Sequence, residues 1–252
     1  MPYSERGYTT SRPFYSGGLP PGVKWLLIVN CGLFVLYFLA NNTSYESWFQ
    51  DLSLWPRAVL TLPAVWQLFT YMFLHDPNGF GHIAFNMLAL WMFGTDLERT
   101  WGTRGFLKYY FLCGVGAGLC VVAANLFAGT LNSRTIGSSG AIYGLLLAFG
   151  VLYPDRIILF SFLFPIKAKY FVMIIGAIAF LSSIGASGGG VSHVAHLGGM
   201  IFGYIYLKRS GFRVNLLDSL VRRIQVWRFE RAKRKFQVHM NRQDGKRNRH
   251  LH

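Results

Sequence analysis

A serine and a histidine lie in apolar parts of this chain. Together, these two side chains could cleave a peptide or ester bond by acyl transfer. Ser139 belongs to the segment Gly137-Ser138-Ser139-Gly140, within a stretch without charged residues from Thr135 to Pro154. His196 stands in another such stretch, in Ala195-His196-Leu197-Gly198-Gly199. A serine becomes a nucleophile when a base accepts its proton and donors hold the oxyanion that forms. The alternative is that these small residues serve only helix packing in lipid.

Donors for such an oxyanion are available in a third apolar stretch. His82 and Asn86 are four residues apart, so they share one face of a helix. Together they could hold an oxyanion, although a pair of interhelical hydrogen bonds would need the same residue types. Tyr143 follows Ser139 by four residues, which predicts that its ring lies one turn deeper than the serine.

Glycines provide a physical reason for the serine and the histidine to meet. Gly140 and Gly144 form a small-residue groove beside Ser139, and Gly199 and Gly203 form a second small face near His196. Small faces of this kind let helices approach closely. Packing them together would bring His196 to Ser139. Because no acidic residue is positioned to orient the histidine, the spacing predicts a dyad rather than a triad.

Two other kinds of catalytic site fit the sequence less well. His193 precedes His196 by three residues, so a metal pair is conceivable, but no carboxylate lies within the apolar stretches around them. We therefore predict no metal and no cofactor. Asp96 and Asp155 lie at the ends of predicted helices, which disfavours an aspartyl protease within the membrane.

The composition is that of a membrane protein. Of 252 residues, 52% are hydrophobic and only 14% are charged, with a mean hydropathy of +0.33. Soluble domains carry about a quarter of charged residues. Several apolar segments approach the length that a helix needs to cross a bilayer. Six of them are predicted to be membrane helices: residues 25–41, 81–96, 105–126, 139–153, 167–184 and 193–208.

Residues 42–79, between the first two predicted helices, are expected to form an interfacial loop. Tryptophans are frequent there, and aromatic residues concentrate at the membrane interface. Ala58–His75 carries no charge and could be counted as a further crossing, but Pro63 and the polar Gln67 and Thr70 favour a loop. The predicted fold is therefore an all-α membrane protein, a bundle of six transmembrane helices with a large interfacial loop between helices 1 and 2.

The distribution of positive charge predicts the orientation in the membrane. Loops 97–104 and 155–169 hold five Lys or Arg residues, whereas the loops on the opposite side, 42–79 and 127–138, hold two. Positive residues favour the cytoplasmic side. Both termini are thus expected inside, with a bacterial inner membrane as the expected location.

Most of the net charge lies in the C-terminal tail. From Lys208 to the end the net charge is +11, out of +15 for the whole chain. The predicted organisation is a flexible lead (1–22), a membrane domain (23–208) and a basic tail (209–252). Apolar residues at helical spacing between 214 and 236 favour an amphipathic helix on anionic lipid, and a merely solvated tail is the alternative. Nothing upstream of the tail resembles a nucleic-acid-binding motif that recognises bases, so no nucleic-acid partner is expected.

In this order, the polar segments resemble those of the rhomboid family of intramembrane serine proteases. The resemblance covers about residues 60–207. In many members an arginine follows the tryptophan where this chain has Trp66-Gln67. The matching segments are Trp66-Gln67-Leu68-Phe69-Thr70-Tyr71-Met72-Phe73-Leu74-His75, His82-Ile83-Ala84-Phe85-Asn86-Met87, Glu98 with Gly102, Gly137-Ser138-Ser139-Gly140, and Ala195-His196-Leu197-Gly198-Gly199.

The resemblance implies a role for each polar residue. Ser139 would be the nucleophile and His196 the base. The oxyanion hole would consist of His82, Asn86 and the backbone N–H of Ser139, and Tyr143 would support the ring of His196. The substrates implied are transmembrane segments of membrane proteins, cleaved near the outer face. A non-catalytic rhomboid relative is disfavoured by the intact serine and histidine, and a transporter by the lack of charged residues along a path.

Overall fold

A computed structural model describes residues 18–160, 164–185, 190–210 and 231 of the chain. Most of them are helical, which confirms the prediction of a helical protein. The predicted amphipathic helix in the basic tail and nearly all of the predicted N-terminal lead lie outside the described residues. The long helices are α1 (Pro21–Ala40), α5 (Phe80–Ala89), α6 (Thr95–Ala128), α7 (Ser139–Leu152), α8 (Ala168–Gly185) and α9 (Gly190–Arg209). The short ones, between α1 and α5, are α2 (Glu46–Leu52), α3 (Pro56–Thr61) and α4 (Gln67–Thr70).

Among the described residues, two helical stretches are long and apolar enough to cross a membrane, Pro21–Ala40 and Phe80–Ala128. Helices Ser139–Leu152 and Ala168–Ser183 are apolar but shorter. The long helices coincide with the six predicted segments in order. However, α5 ends at Ala89, seven residues before the predicted end, and α6 begins at Thr95, ten residues before the predicted start. How many of them cross the bilayer stays a prediction.

The stretch Phe80–Ala128 is not one straight rod. A π-helical turn, Leu90–Gly94, links α5 to α6, and within α6 the backbone of Gly102 has φ 70° and ψ 165°. A methyl group on Gly94 would lie 3.3 Å from the Phe106 ring. In a straight helix twelve residues span about 18 Å, so the chain must fold back at Gly102. Glycine suits this position because a positive φ is strained for other residues.

Helix α7 forms the centre of the protein. From Gly140 to Gly150 every side chain except that of Tyr143 is buried, against α6, α8 and α9. The outer helices instead present large apolar side chains to their surroundings, as expected for helices in contact with lipid. Examples on α1 and α8 are Trp25, Val35, Leu36, Leu39, Ile178 and Leu181.

Residues 58–75 do not form one continuous helix, which favours the loop over a further crossing there. They contain α3, α4 and a 3₁₀ turn at Tyr71–Phe73. Gln67, at the position where many rhomboids carry arginine, is buried. Its Oε1 accepts a hydrogen bond from the Trp55 amide at 3.0 Å, and its Nε2 donates one to the Asp51 carbonyl at 3.0 Å. The amide side chain thus braces this segment without a charge.

The all-α prediction missed a β-hairpin between α7 and α8. Strand β1 (Ile157–Phe160) pairs antiparallel with β2 (Phe164–Lys167), with Ile158 opposite Ile166. The charge pattern alone predicts only a positively charged inner loop over residues 155–169. Its Ile-Ile-Leu-Phe run consists of residue types that favour strands, which was the available signal.

The carboxylate of Glu98 joins α1 to α6. It is 2% exposed, and its two oxygens accept hydrogen bonds from the backbone amides of Gly22 (2.8 Å) and Val23 (2.7 Å) at the start of α1. The hydroxyl of Thr103 donates to it at 2.7 Å. A negative group at this end of a helix satisfies amides that lack an intrahelical partner and complements the helix dipole.

Replacing Glu98 by alanine should therefore destabilise the protein. Because Glu98→Ala leaves two buried amides without an acceptor, we expect the free energy of unfolding to fall by about 2–4 kcal/mol. Thermal unfolding in detergent, followed by tryptophan fluorescence, measures the change. Glu46→Ala is the control, since Glu46 also accepts hydrogen bonds, from the Asn42 amide and Gln50, at a more exposed position. Equal shifts for both variants would contradict the assignment.

Candidate active site

Ser139 is the first residue of α7, and the segment before it is held in place by the α2–α5 region. Thr135 forms a two-hydrogen-bond bridge with Leu54, each bond 2.9 Å long. The Gly137 amide donates to the Tyr71 carbonyl at 2.9 Å. Gly137 has φ +119°, a conformation that glycine adopts without strain. These contacts fix the direction from which the chain enters the helix, and with it the position of the serine.

His196 on α9 reaches this serine. Its Nε2 lies 3.0 Å from Ser139 Oγ, within hydrogen-bond distance. Among the described residues, the buried Nδ1 of His196 has no hydrogen-bond partner. The pair thus has the geometry of a nucleophile and a base, without a carboxylate behind the histidine.

Tyr143 lies against the histidine ring. The two rings are stacked with centroids 4.0 Å apart and an angle of 4° between their planes. Tyr143 is one helical turn deeper than Ser139, as its spacing predicts. Face-to-face packing restricts rotation of the imidazole, so the tyrosine helps to keep Nε2 directed at the serine.

The close approach of α7 and α9 depends on glycine, but not with the predicted pairing throughout. A methyl group on Gly199 would overlap the carbonyl of Gly140, and one on Gly144 would lie 3.3 Å from the Gly199 carbonyl. Gly203 was expected to continue this contact. It instead lies against Tyr109 and Cys113 of α6, so α9 packs against both α6 and α7.

His82 and Asn86 line the same cavity as the serine and the histidine. The cavity has a volume of about 410 Å³, and its wall also includes Tyr143. The His82 ring lies close to Gly137, where a methyl group would be 3.1 Å from Nε2. Asn86 is 7% exposed, and its Nδ2 is buried without a hydrogen-bond partner among the described residues. An amide donor that is left unpaired on the wall of a cavity is available to a bound oxygen atom.

Another histidine, His75, contacts both the segment before Ser139 and His82, and the sequence analysis assigns it no role. His75 is fully buried, with Nε2 3.3 Å from the hydroxyl of Ser138, also fully buried. Its ring meets that of His82 edge to face, with centroids 5.3 Å apart. Burial is the main cause that lowers the pKa of His75, to about 3, and the nearby His82 lowers it further. The ring is therefore uncharged at neutral pH. The available signal was a histidine that ends an apolar run seven residues before His82.

His193, the other half of the conceivable metal pair, lies edge to face with His196 at 5.9 Å between centroids. Within the described ranges, no group of three His, Cys, Asp or Glu side chains could hold a metal ion.

Comparison with known proteins places this arrangement in a family. Residues 63–209 match the family model described as the rhomboid domain. The chain is 34% identical over 139 residues to the rhomboid protease GluP of Bacillus subtilis, covering 55% of this chain and 25% of that protein. It is 32% identical over 152 residues to the rhomboid protease AarA of Providencia stuartii, covering 55% of this chain and 53% of that protein. It is also 32% identical over 129 residues to the mitochondrial rhomboid protein 1 of Saccharomyces cerevisiae, with coverages of 50% and 37%.

The helical fold and the family match identify a multi-pass integral membrane protein. It belongs to the rhomboid family, whose domain spans more than half of the chain. The chain covers between 25% and 53% of the length of the three relatives named above.

The contact between α7 and α9 can be tested with Gly199→Ala. The added methyl group would push α9 away from Gly140, and a displacement of about 1 Å can lower a rate about 10²-fold. We therefore expect a loss of that order in the rate at which a fluorophosphonate modifies Ser139. Gly32→Ala is the matched control, because Gly32 on α1 has open space around it. The control should react like the wild type, and an unchanged rate in Gly199→Ala would contradict the packing argument.

Proposed function

We propose that this protein is a serine endopeptidase that cleaves transmembrane segments of other membrane proteins through a Ser139–His196 dyad. The observation that carries the proposal is the 3.0 Å contact between Ser139 Oγ and His196 Nε2 on the wall of a cavity. Two of the relatives are named as rhomboid proteases, which supports the same activity.

The proposed reaction is an acyl transfer in two steps. Ser139 Oγ attacks the peptide carbonyl while His196 Nε2 accepts the hydroxyl proton. The carbon–nitrogen bond then breaks, and His196 returns the proton to the leaving amine. Water, deprotonated by His196, hydrolyses the ester that remains on Ser139. The stacked Tyr143 ring restrains the histidine in place of the carboxylate of a triad.

The negative charge that develops on the carbonyl oxygen needs donors that are in position before the attack. We assign this role to the side chains of His82 and Asn86 and to the backbone N–H of Ser139. The support is their common cavity and the unpaired Nδ2 of Asn86. Because Ser139 is the first residue of α7, its amide has no carbonyl of that helix to bond and can face a substrate.

The proposed orientation puts both termini inside and the mouth of the site towards the outer face, with six helices crossing the membrane. The asymmetry of Lys and Arg between the loops supports this orientation. Two of the relatives named above are from bacteria and one is mitochondrial, and the proposed location is a bacterial inner (plasma) membrane. Substrates would be membrane proteins whose helices unwind near the outer face, and the net charge of +11 from Lys208 onwards supports contact of the tail with anionic lipid.

The nucleophile and the base can be assigned by covalent labelling and by cleavage. Ser139→Ala should abolish modification by a fluorophosphonate in detergent, because among the described residues the hydroxyl of Ser139 is the one that lies within hydrogen-bond distance of His196. His196→Ala should abolish cleavage of a model transmembrane substrate. Ser47→Ala, at an exposed serine of α2, is the control and should be labelled normally. Labelling that persists in Ser139→Ala, or cleavage that survives His196→Ala, would refute the dyad.

Asn86 and Asn125 offer a contrast between a catalytic and a structural asparagine. Asn86→Ala should lower kcat about 10²–10³-fold with little change in thermal stability, since the donor that it removes, Nδ2, has no hydrogen-bond partner among the described residues. Asn125 is also buried, but it donates to the Val121 carbonyl and accepts from Thr130. Asn125→Ala should therefore lower the melting temperature and leave kcat nearly unchanged. The same pattern in both variants would argue against an oxyanion role for Asn86.

A further inference from the structure

The β-hairpin between α7 and α8 has an apolar face that the described residues leave uncovered. Successive side chains of a strand point to opposite faces, so Ile157 and Leu159 share one face of β1 and Ile158 lies on the other. Ile158 is 7% exposed and belongs to a cluster with Phe149 of α7 and Val172 of α8. Ile157 and Leu159 are 64% and 55% exposed. The hairpin therefore packs on the bundle through one face only.

The uncovered face does not have the composition of a face in water. Antiparallel strands with one solvated face alternate between apolar and polar residues. Strand β1 has no polar residue, and the partners of its uncovered side chains across the hairpin are Lys167, opposite Ile157, and Pro165, opposite Leu159. Apart from the lysine at its root, the face is apolar throughout.

The connections of the hairpin place it at the membrane boundary. It follows α7, which ends at Leu152, and directly precedes α8, which begins at Ala168. Both helices are apolar, and the first turns of α8 expose Tyr170 and Met173 as well. A strand pair held between two such helices lies within a few residues of the lipid.

The charges at the root of the hairpin fit the level of lipid headgroups. Asp155 bonds Lys169 at 2.8 Å and Lys167 at 3.3 Å, and its own side chain is 67% exposed. The side chain of Lys167 is 45% exposed. Apolar side chains beside basic residues are the pattern of elements that lie in the membrane interface.

We propose that the outer face of this hairpin, formed by Ile157, Leu159 and Pro165, is a membrane-contact surface that inserts into the interfacial layer of the inner leaflet. Lys167 then lies among the headgroups, and the side chains of Ile157 and Leu159 lie closer to the hydrocarbon core. Because β2 runs into α8 without a linker, the contact also sets the depth at which α8 starts. The contact does not require proteolytic activity, but its location rests on the proposed topology, in which α7 and α8 cross the membrane and the hairpin between them faces the inside.

Fluorescence quenching in vesicles tests the contact directly. Leu159→Cys and Lys167→Cys are each made in a Cys31→Ala background, because Cys31 is exposed. Each is labelled with the polarity-sensitive dye NBD and reconstituted into phosphatidylcholine–phosphatidylglycerol vesicles with or without nitroxide-bearing lipids. Lys167→Cys is the matched control on the same face of the hairpin, and the background protein measures labelling of the other cysteines. Thermal unfolding of each labelled protein verifies the fold.

We expect blue-shifted emission at position 159, reduced to less than half by nitroxide lipids, with clearly weaker quenching at position 167. Blue-shifted emission without quenching would mean that protein covers the face, either a second copy or the C-terminal tail, and would overturn the proposal. Emission typical of water at position 159 would overturn it as well. Equal quenching at both positions would refute the assignment of Lys167 to the headgroup level.

Discussion

The contact between Gly140 and Gly199 is the constraint on which the active site depends. Side chains on two helices at an ordinary interaxial distance of 8–10 Å meet through their tips. Here the Gly140 carbonyl occupies the space that a Cβ of residue 199 would need. The backbones are therefore close enough for the short side chain of Ser139 to reach the histidine ring. Packing and chemistry are consequences of the same contact.

A second set of contacts fixes the other half of the site. Thr135, Gly137 and Ser138 are each hydrogen-bonded to a residue between α2 and α5, so three of the four residues that precede Ser139 are restrained. The His75 ring contacts both Ser138 and His82, so the segment before the nucleophile and one proposed oxyanion donor share a neighbour. A donor held in this way needs little reorganisation when charge develops, which is the condition for effective electrostatic stabilisation.

Much of this arrangement could be predicted from residue types and local spacing. Apolar runs predicted the helices, and spacings of four residues correctly put His82 with Asn86 and Tyr143 beneath Ser139. Tertiary features were harder to predict, because they depend on partners distant in the chain. Gly203 belongs to a regular glycine pattern, yet its neighbours are on α6. The hairpin was missed because an apolar run of four residues between charged ones has no helical or alternating period.

The restraints on Ser139 have a consequence for the order of events during synthesis. The bridge to Thr135 uses Leu54, and the bond to Ser138 uses His75, so residues made much earlier hold the serine. The base, in contrast, is on the last long helix of the described chain. The proposed catalytic pair is therefore incomplete until α9 has been synthesised and has docked against α7.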